Sequence, residues 1–124
     1  MTMKWVFLAV FGAIGTIARA EVSALVQKAA GPAFPWGTVA VNLVGSFLFG
    51  LIWAMVESHA RAADIRLAAL TGFMGAFTTF STFMFDSEQL AEAGRFAAAA
   101  GNLALQNVAG LACIVAGLAI GRSL

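Results

Sequence analysis

Four long apolar runs divide the chain, and the polar residues gather between them. They predict helices at about residues 5–26, 37–56, 65–90 and 96–120, each near the roughly 20 residues needed to cross a hydrocarbon core. The first run is the least regular. Its largely apolar part ends at Ala18, and Arg19 and Glu21 fall in its last turns, yet Val22, Ala24, Leu25 and Val26 carry the apolar character onward. Lys4, a short apolar stretch and Ala18-Arg19-Ala20 also imitate a signal peptide with an A-x-A cleavage site. Gly12 and Gly15 suit close helix packing better than a signal-peptide core, which favours a span. Residues 31–37 hold both prolines of the chain, Pro32 and Pro35, and predict a loop with Trp36 as an interfacial anchor.

Polar residues inside the runs form stripes. Thr38, Asn42 and Ser46 are spaced i, i+4, i+8 and share one helical face, with Gly45 and Gly50 near it. Serine and threonine can bond the carbonyl one turn back on their own helix. A mid-membrane amide needs a partner from another helix or from water, so Asn42 is either helix glue or the lining of a path. In the fourth run Asn102 and Gln106 share a face that Gly110 continues, with Asn107 to the side, and Gly117 and Gly121 have a small-residue spacing. The third run is the unusual one. Residues 72–83 read GFMGAFTTFSTF, with hydroxyls at Thr78, Thr79, Ser81 and Thr82 among four phenylalanines. Glycine and β-branched residues weaken a helix, and lipid tolerates an interruption where freed backbone groups find partners. This stretch predicts a broken third helix whose carbonyls and ring edges handle ions. A glycine-rich packing face with aromatic filler is the competing reading.

Composition narrows the class. The chain is 61% hydrophobic and 10% charged, with a mean hydropathy of +0.92, where a soluble domain is about a quarter charged. It reads as an all-α integral membrane protein of four transmembrane helices in one domain, with membrane lipid around it. A net charge of +1 offers no field for nucleic acid. Cys113 is the only cysteine and forms no intrachain disulfide; tyrosine is absent, so Trp5, Trp36 and Trp53 supply any interfacial belt. Four spans put Lys4, Arg61, Arg66 and Arg122 on one side and Arg19, Lys28 and Arg95 on the other. Orientation follows the Lys/Arg bias, and this bias is slight. One inference is dual insertion with head-to-tail pairing; the other is a single orientation set by a weak signal.

Enzyme chemistry lacks its parts. The only histidine, His59, lies in the polar connection at residues 57–66, and no Ser or Cys has a base at a useful helical spacing. A proton-coupled exporter wants a mid-span carboxylate, whereas Glu21, Glu57, Asp86 and Glu88 fall near predicted span ends. The polar groups inside the spans are neutral amides and hydroxyls beside phenylalanine rings. Ring edges carry partial positive charge, so the set suits a small dehydrated anion. A non-transporting accessory subunit, with glycine faces for docking, is a further reading.

Several motifs then occur together. Gly12-Ala13-Ile14-Gly15 precedes Arg19; Trp36-Gly37-Thr38 leads into Val41-Asn42-Leu43-Val44-Gly45-Ser46; Gly72-Phe73-Met74-Gly75 leads into Thr78-Thr79-Phe80-Ser81-Thr82-Phe83. Over essentially its whole length the chain resembles the Fluc (CrcB) family of bacterial fluoride channels. The resemblance implies an antiparallel, dual-topology homodimer in the bacterial inner membrane, with two pores that conduct fluoride passively around a central structural sodium ion. It implies that the backbone carbonyls of Gly75 and Thr78 hold the sodium and that Phe80 and Phe83 offer ring edges to fluoride. Asn42 and Thr38 would line the path, Ser81 and Thr82 would border it, and Arg19 would stand at a vestibule. The chain departs from the family in three places: Gln106 stands where serine is common, Asp86 where glutamate is usual, and Ala20 where an aromatic residue often follows the arginine.

Overall fold

The computed structural model describes residues 2–124, and every regular element among them is helical. Helix α1 (Thr2–Ala30) runs past Arg19 and Glu21 without a break. Glu21 is exposed and Arg19 half-buried, so both side chains reach the surface and neither interrupts the backbone. The helix ends where Gly31 takes φ +86, a left-handed conformation that glycine adopts without strain. One side chain then organises the loop. Gln27 Nε2 donates to the carbonyls of Gly31 (2.6 Å) and Phe34 (2.9 Å), while its Oε1 accepts from the Gly37 amide (3.0 Å). That last bond satisfies a free donor in the first turn of α2 (Trp36–Val56).

The third apolar run forms several pieces. Helix α3 (Ala62–Ile65) passes into a π-helical segment, Arg66–Met74, and a final α turn, α4 (Gly75–Phe77). Thr78 (φ −84, ψ 157) and Thr79 (φ −146, ψ 113) are extended, and helix α5 (Phe80–Glu92) follows. Gly94, at φ +74, ends α5, with the Arg95 amide reaching back to the Leu90 carbonyl (2.9 Å) in a glycine-capped turn. Helix α6 (Phe96–Ser123) completes the chain.

Four stretches are long and apolar enough to cross a membrane: Met3–Ala30, Trp36–Val56, Ala62–Glu92 and Phe96–Ser123. These helical stretches lie where the hydrophobic pattern predicts helices, and most run a few residues longer. The most extensive packing is between α2 and α6, and α1 lies chiefly on the π segment. Glycine makes both approaches possible. A Cβ on Gly117 would overlap the Phe47 carbonyl oxygen and stand 2.8 Å from the Leu51 amide nitrogen; one on Gly15 would overlap the Phe73 carbonyl. In lipid such backbone contact supplies the dispersion energy that hydrophobic burial supplies in water. At one end of the bundle the Arg66 guanidinium lies 4.1 Å from the Trp53 ring centroid.

Candidate functional site

The site is built around Thr78 and Thr79. In an uninterrupted helix the Thr79 amide would donate to the Gly75 carbonyl and the Thr82 amide to the Thr78 carbonyl. Both donors go elsewhere. The Thr79 amide donates to Oδ1 of Asn42 at 2.7 Å, and the Thr82 amide donates to Oγ1 of Thr79 at 3.3 Å, so Thr79 caps α5. Thr78 keeps its bonds to the preceding turn, through its amide (3.1 Å) and its hydroxyl (3.0 Å) to the Met74 carbonyl. Its methyl group fits against Gly45 of α2, where a Cβ would overlap it.

Asn42 is therefore helix glue. Its Nδ2 donates to the Thr79 carbonyl (3.0 Å) and to Oε1 of Gln106 (2.7 Å). Gln106 Nε2 donates to Oδ1 of Asn102 (2.9 Å), Asn102 Nδ2 to Oγ of Ser87 (2.9 Å), and Ser87 Oγ to the Phe83 carbonyl (2.8 Å). The chain of bonds leaves the third span at Thr79, crosses α2 and α6, and returns to the third span at Phe83. Thr79, Ser87, Asn102 and Gln106 are all buried. One turn along the α2 stripe, Thr38 donates to Oδ2 of Asp86 at 2.6 Å. The shorter acid thus reaches α2 without the extra methylene of glutamate.

Asn42 also lines a cleft of about 320 Å³ with Thr78, Thr79, Phe80, Phe83 and Gln106, so it is glue and lining at once. The Phe80 and Phe83 rings meet edge to face, with centroids 5.9 Å apart and planes at 71°. Their settings differ: Phe83 is 4% exposed and Phe80 72%. A second cleft of about 400 Å³ holds Arg19, Thr38, Thr79 and Thr82. Arg19, Thr38 and Thr82 thus come together on the other side of Thr79. Ser81 and Gly75 are exposed on the chain's surface. Ser87, Asn102, Thr79 and Gln27 carry structural bonds at or near the site, and the sequence assigned none of them a role there. The i, i+4 spacing of Asn102 and Gln106 was the available signal for one of them; Ser87 and Gln27 become visible only when helices are placed side by side.

Comparison with known proteins agrees with this architecture. Residues 6–118 match the family described as CrcB-like protein, Camphor Resistance (CrcB). That match takes in most of the first helix. The chain is 50% identical over 123 residues to a protein of Solidesulfovibrio magneticus named "Fluoride-specific ion channel FluC", covering 98% of both. It is 46% identical over 123 residues to the Nitrosococcus oceani protein of the same name, again covering 98% of both. An Agrobacterium fabrum protein of that name is 45% identical over 114 residues, 91% of each chain. The chain is a multi-pass membrane protein, not an enzyme, and belongs to the CrcB-like family of fluoride-specific ion channels.

Proposed function

We propose that the chain works as an antiparallel homodimer in a bacterial inner membrane and lets fluoride leave the cytoplasm passively, which gives fluoride resistance. The observation that carries this reading is the turn at Thr78 and Thr79, where two helical amides turn away from the Gly75 and Thr78 carbonyls. In this reading the turn is a functional break in the third span. The four spans form one channel domain. The path runs along Thr38, Asn42, Phe80, Phe83 and Gln106, bordered by Ser81 and Thr82, with Arg19 at a vestibule. Amides, hydroxyls and ring edges there replace part of the tight hydration shell of fluoride, and a narrow dry passage disfavours the larger chloride. The near-even split of lysine and arginine between the two sides supports insertion in both orientations. The exposure of Phe80, Ser81 and Gly75 on a single chain supports a second chain covering that face.

A sodium ion fits the same turn. The donor set is backbone carbonyl oxygen, the hard ligand such an ion takes, at the C-terminal end of a helical segment where the dipole favours a cation. Gly75 and Thr78 would hold it, two carbonyls from each chain, and it would supply a fixed positive charge that ties the two third spans together. A high-resolution structure of the dimer with no cation on those carbonyls removes this part of the proposal.

The test is fluoride efflux from liposomes carrying the purified protein. Efflux that is fast for fluoride and negligible for chloride is expected. Equal permeation of both anions, or none, refutes the reading. Loss of fluoride resistance in cells lacking the protein separates it from a drug exporter or an accessory subunit.

A further inference from the structure

We infer that Asn102 and Ser87 are positioning residues for the fluoride path: they turn the side-chain amide of Gln106 so that it keeps one N–H for the anion. The inference rests on the channel reading above.

The argument begins with amide orientation. An asparagine or glutamine side chain can be flipped end for end, and only its partners decide which way it points. Here backbone groups decide at both ends of the chain of bonds. The Thr79 amide can only donate, so the Asn42 atom 2.7 Å away is its oxygen. Asn42 Nδ2 then faces Gln106, which must answer with its oxygen at 2.7 Å. Gln106 Nε2 is left facing Asn102, whose oxygen accepts at 2.9 Å. Asn102 Nδ2 meets the Ser87 hydroxyl at 2.9 Å, and that hydroxyl donates to the Phe83 carbonyl, which can only accept. Flipping any one amide sets two donors or two acceptors against each other, in a place where Asn102 is 0% exposed and no solvent can substitute.

The hydrogen count gives the consequence. Asn42 spends both Nδ2 hydrogens, on Thr79 and on Gln106. Gln106 spends one Nε2 hydrogen, on Asn102, and retains the other. Both side chains line the cleft with Phe80 and Phe83. Within this network, then, the cleft-lining amide with a hydrogen to offer an anion is Gln106, and Asn42 serves chiefly to hold the turn. Asn42 already sets which end of the Gln106 amide is nitrogen; Asn102, by accepting one of the two Nε2 hydrogens, fixes the torsion of that amide and so the direction of the hydrogen left for the anion. Ser87, by accepting from Asn102 Nδ2 while donating to the Phe83 carbonyl, holds the Asn102 oxygen toward Gln106.

The experiment is a double-mutant cycle read by fluoride efflux from liposomes, with dimer assembly checked by size exclusion. Asn102→Leu removes the acceptor that orients Gln106, and Gln106→Met removes the amide with little change in shape. Each should slow efflux about tenfold, the order expected for one lost hydrogen bond to a charged group. The double variant should be no slower than Gln106→Met alone, because Asn102 acts through Gln106. Asn102→Asp, which stays protonated in an apolar interior and so keeps both an acceptor and a donor, should recover most of the flux. Should Asn102→Leu fail to assemble, Ser87→Ala replaces it in the same cycle and should likewise lose its effect in the Gln106→Met background. Multiplying losses in the double variant, or Asn102→Asp as slow as Asn102→Leu, overturns the inference and leaves the channel reading standing. Wild-type protein that passes no fluoride ends both.

Discussion

Asn42→Leu is the most informative single change, because Asn42 makes three hydrogen bonds between helices and leucine has nearly its shape. It deletes the bonds to the Thr79 amide, the Thr79 carbonyl and Gln106. Interhelical hydrogen bonds in membranes average about 0.6 kcal/mol, so the three together contribute about 2 kcal/mol. A comparable cost is what stays behind. Thr79 is buried, and its amide loses its partner, which adds about 1–3 kcal/mol. The chain has one escape. Thr78 and Thr79 can rotate from extended to helical angles, and the Thr79 amide can return to the Gly75 carbonyl. That relieves the strain by closing the turn and occupying a carbonyl of the proposed cation site. Either way the site is lost. Asn42→Leu should unfold in detergent with a stability loss of about 3 kcal/mol, followed by tryptophan fluorescence, and should carry less than about a tenth of the wild-type fluoride flux in liposomes. Ser46→Ala, one turn along the same stripe, should cost less than about 0.5 kcal/mol. An Asn42→Leu protein with wild-type stability and flux would show that the clamp is not what holds the turn.

The two phenylalanines should separate flux from stability. Phe80→Ile removes an exposed ring, so efflux should fall while the melting temperature of the isolated chain barely moves; Phe83→Ile removes a buried ring and should lower both, by about 1–2 kcal/mol in stability. Undiminished flux in both variants would rule out ring edges as anion contacts. Gly117→Val should prevent α2 and α6 from meeting, since its Cβ overlaps the Phe47 carbonyl, and a loss above about 3 kcal/mol is expected by thermal unfolding; a wild-type melting temperature would contradict the packing. Two lysines added beside Lys4 should bias insertion to one orientation and abolish resistance, and co-expression with a variant carrying two lysines beside Arg95 should restore it. Full resistance from the first variant alone would refute the antiparallel dimer.

The spans were legible because lipid imposes one rule on every residue: a crossing segment must be apolar and internally hydrogen-bonded. The extended pair Thr78 and Thr79 was legible as unusual chemistry, from glycine, threonine and serine crowded among phenylalanines, but not as geometry. Nothing in GFMGAFTTFSTF says that the Thr79 amide leaves the helix, because its new partner, Asn42, lies on another span. The same limit explains Gln27, whose three bonds to the loop depend on how residues 31–37 fold back over α1. It explains Asp86 too. Its position after the phenylalanine pair suggested an emerging end, while its bond to Thr38 depends on the approach of α5 to the first turn of α2.

Gln106 shows where reading by position reaches its end. Set against the serine that the family resemblance leads one to expect there, it looks like a longer side chain intruding on a polar track, and its length invites the idea of a narrower path. Its neighbours change that meaning. Serine at this position could rotate its one hydrogen freely toward an anion or toward its own helix. Glutamine cannot, because Asn42 takes its oxygen and Asn102 takes half of its nitrogen's capacity. Glutamine is therefore a fixed donor where serine would be a mobile one, and the fixing groups, Asn102 and Ser87, come from two different elements of the bundle. A donor already held in place costs less ordering when the anion arrives, and it discriminates more sharply by distance. On this reasoning a glutamine at 106 has its compensation in the same chain, in residues that have meaning only together.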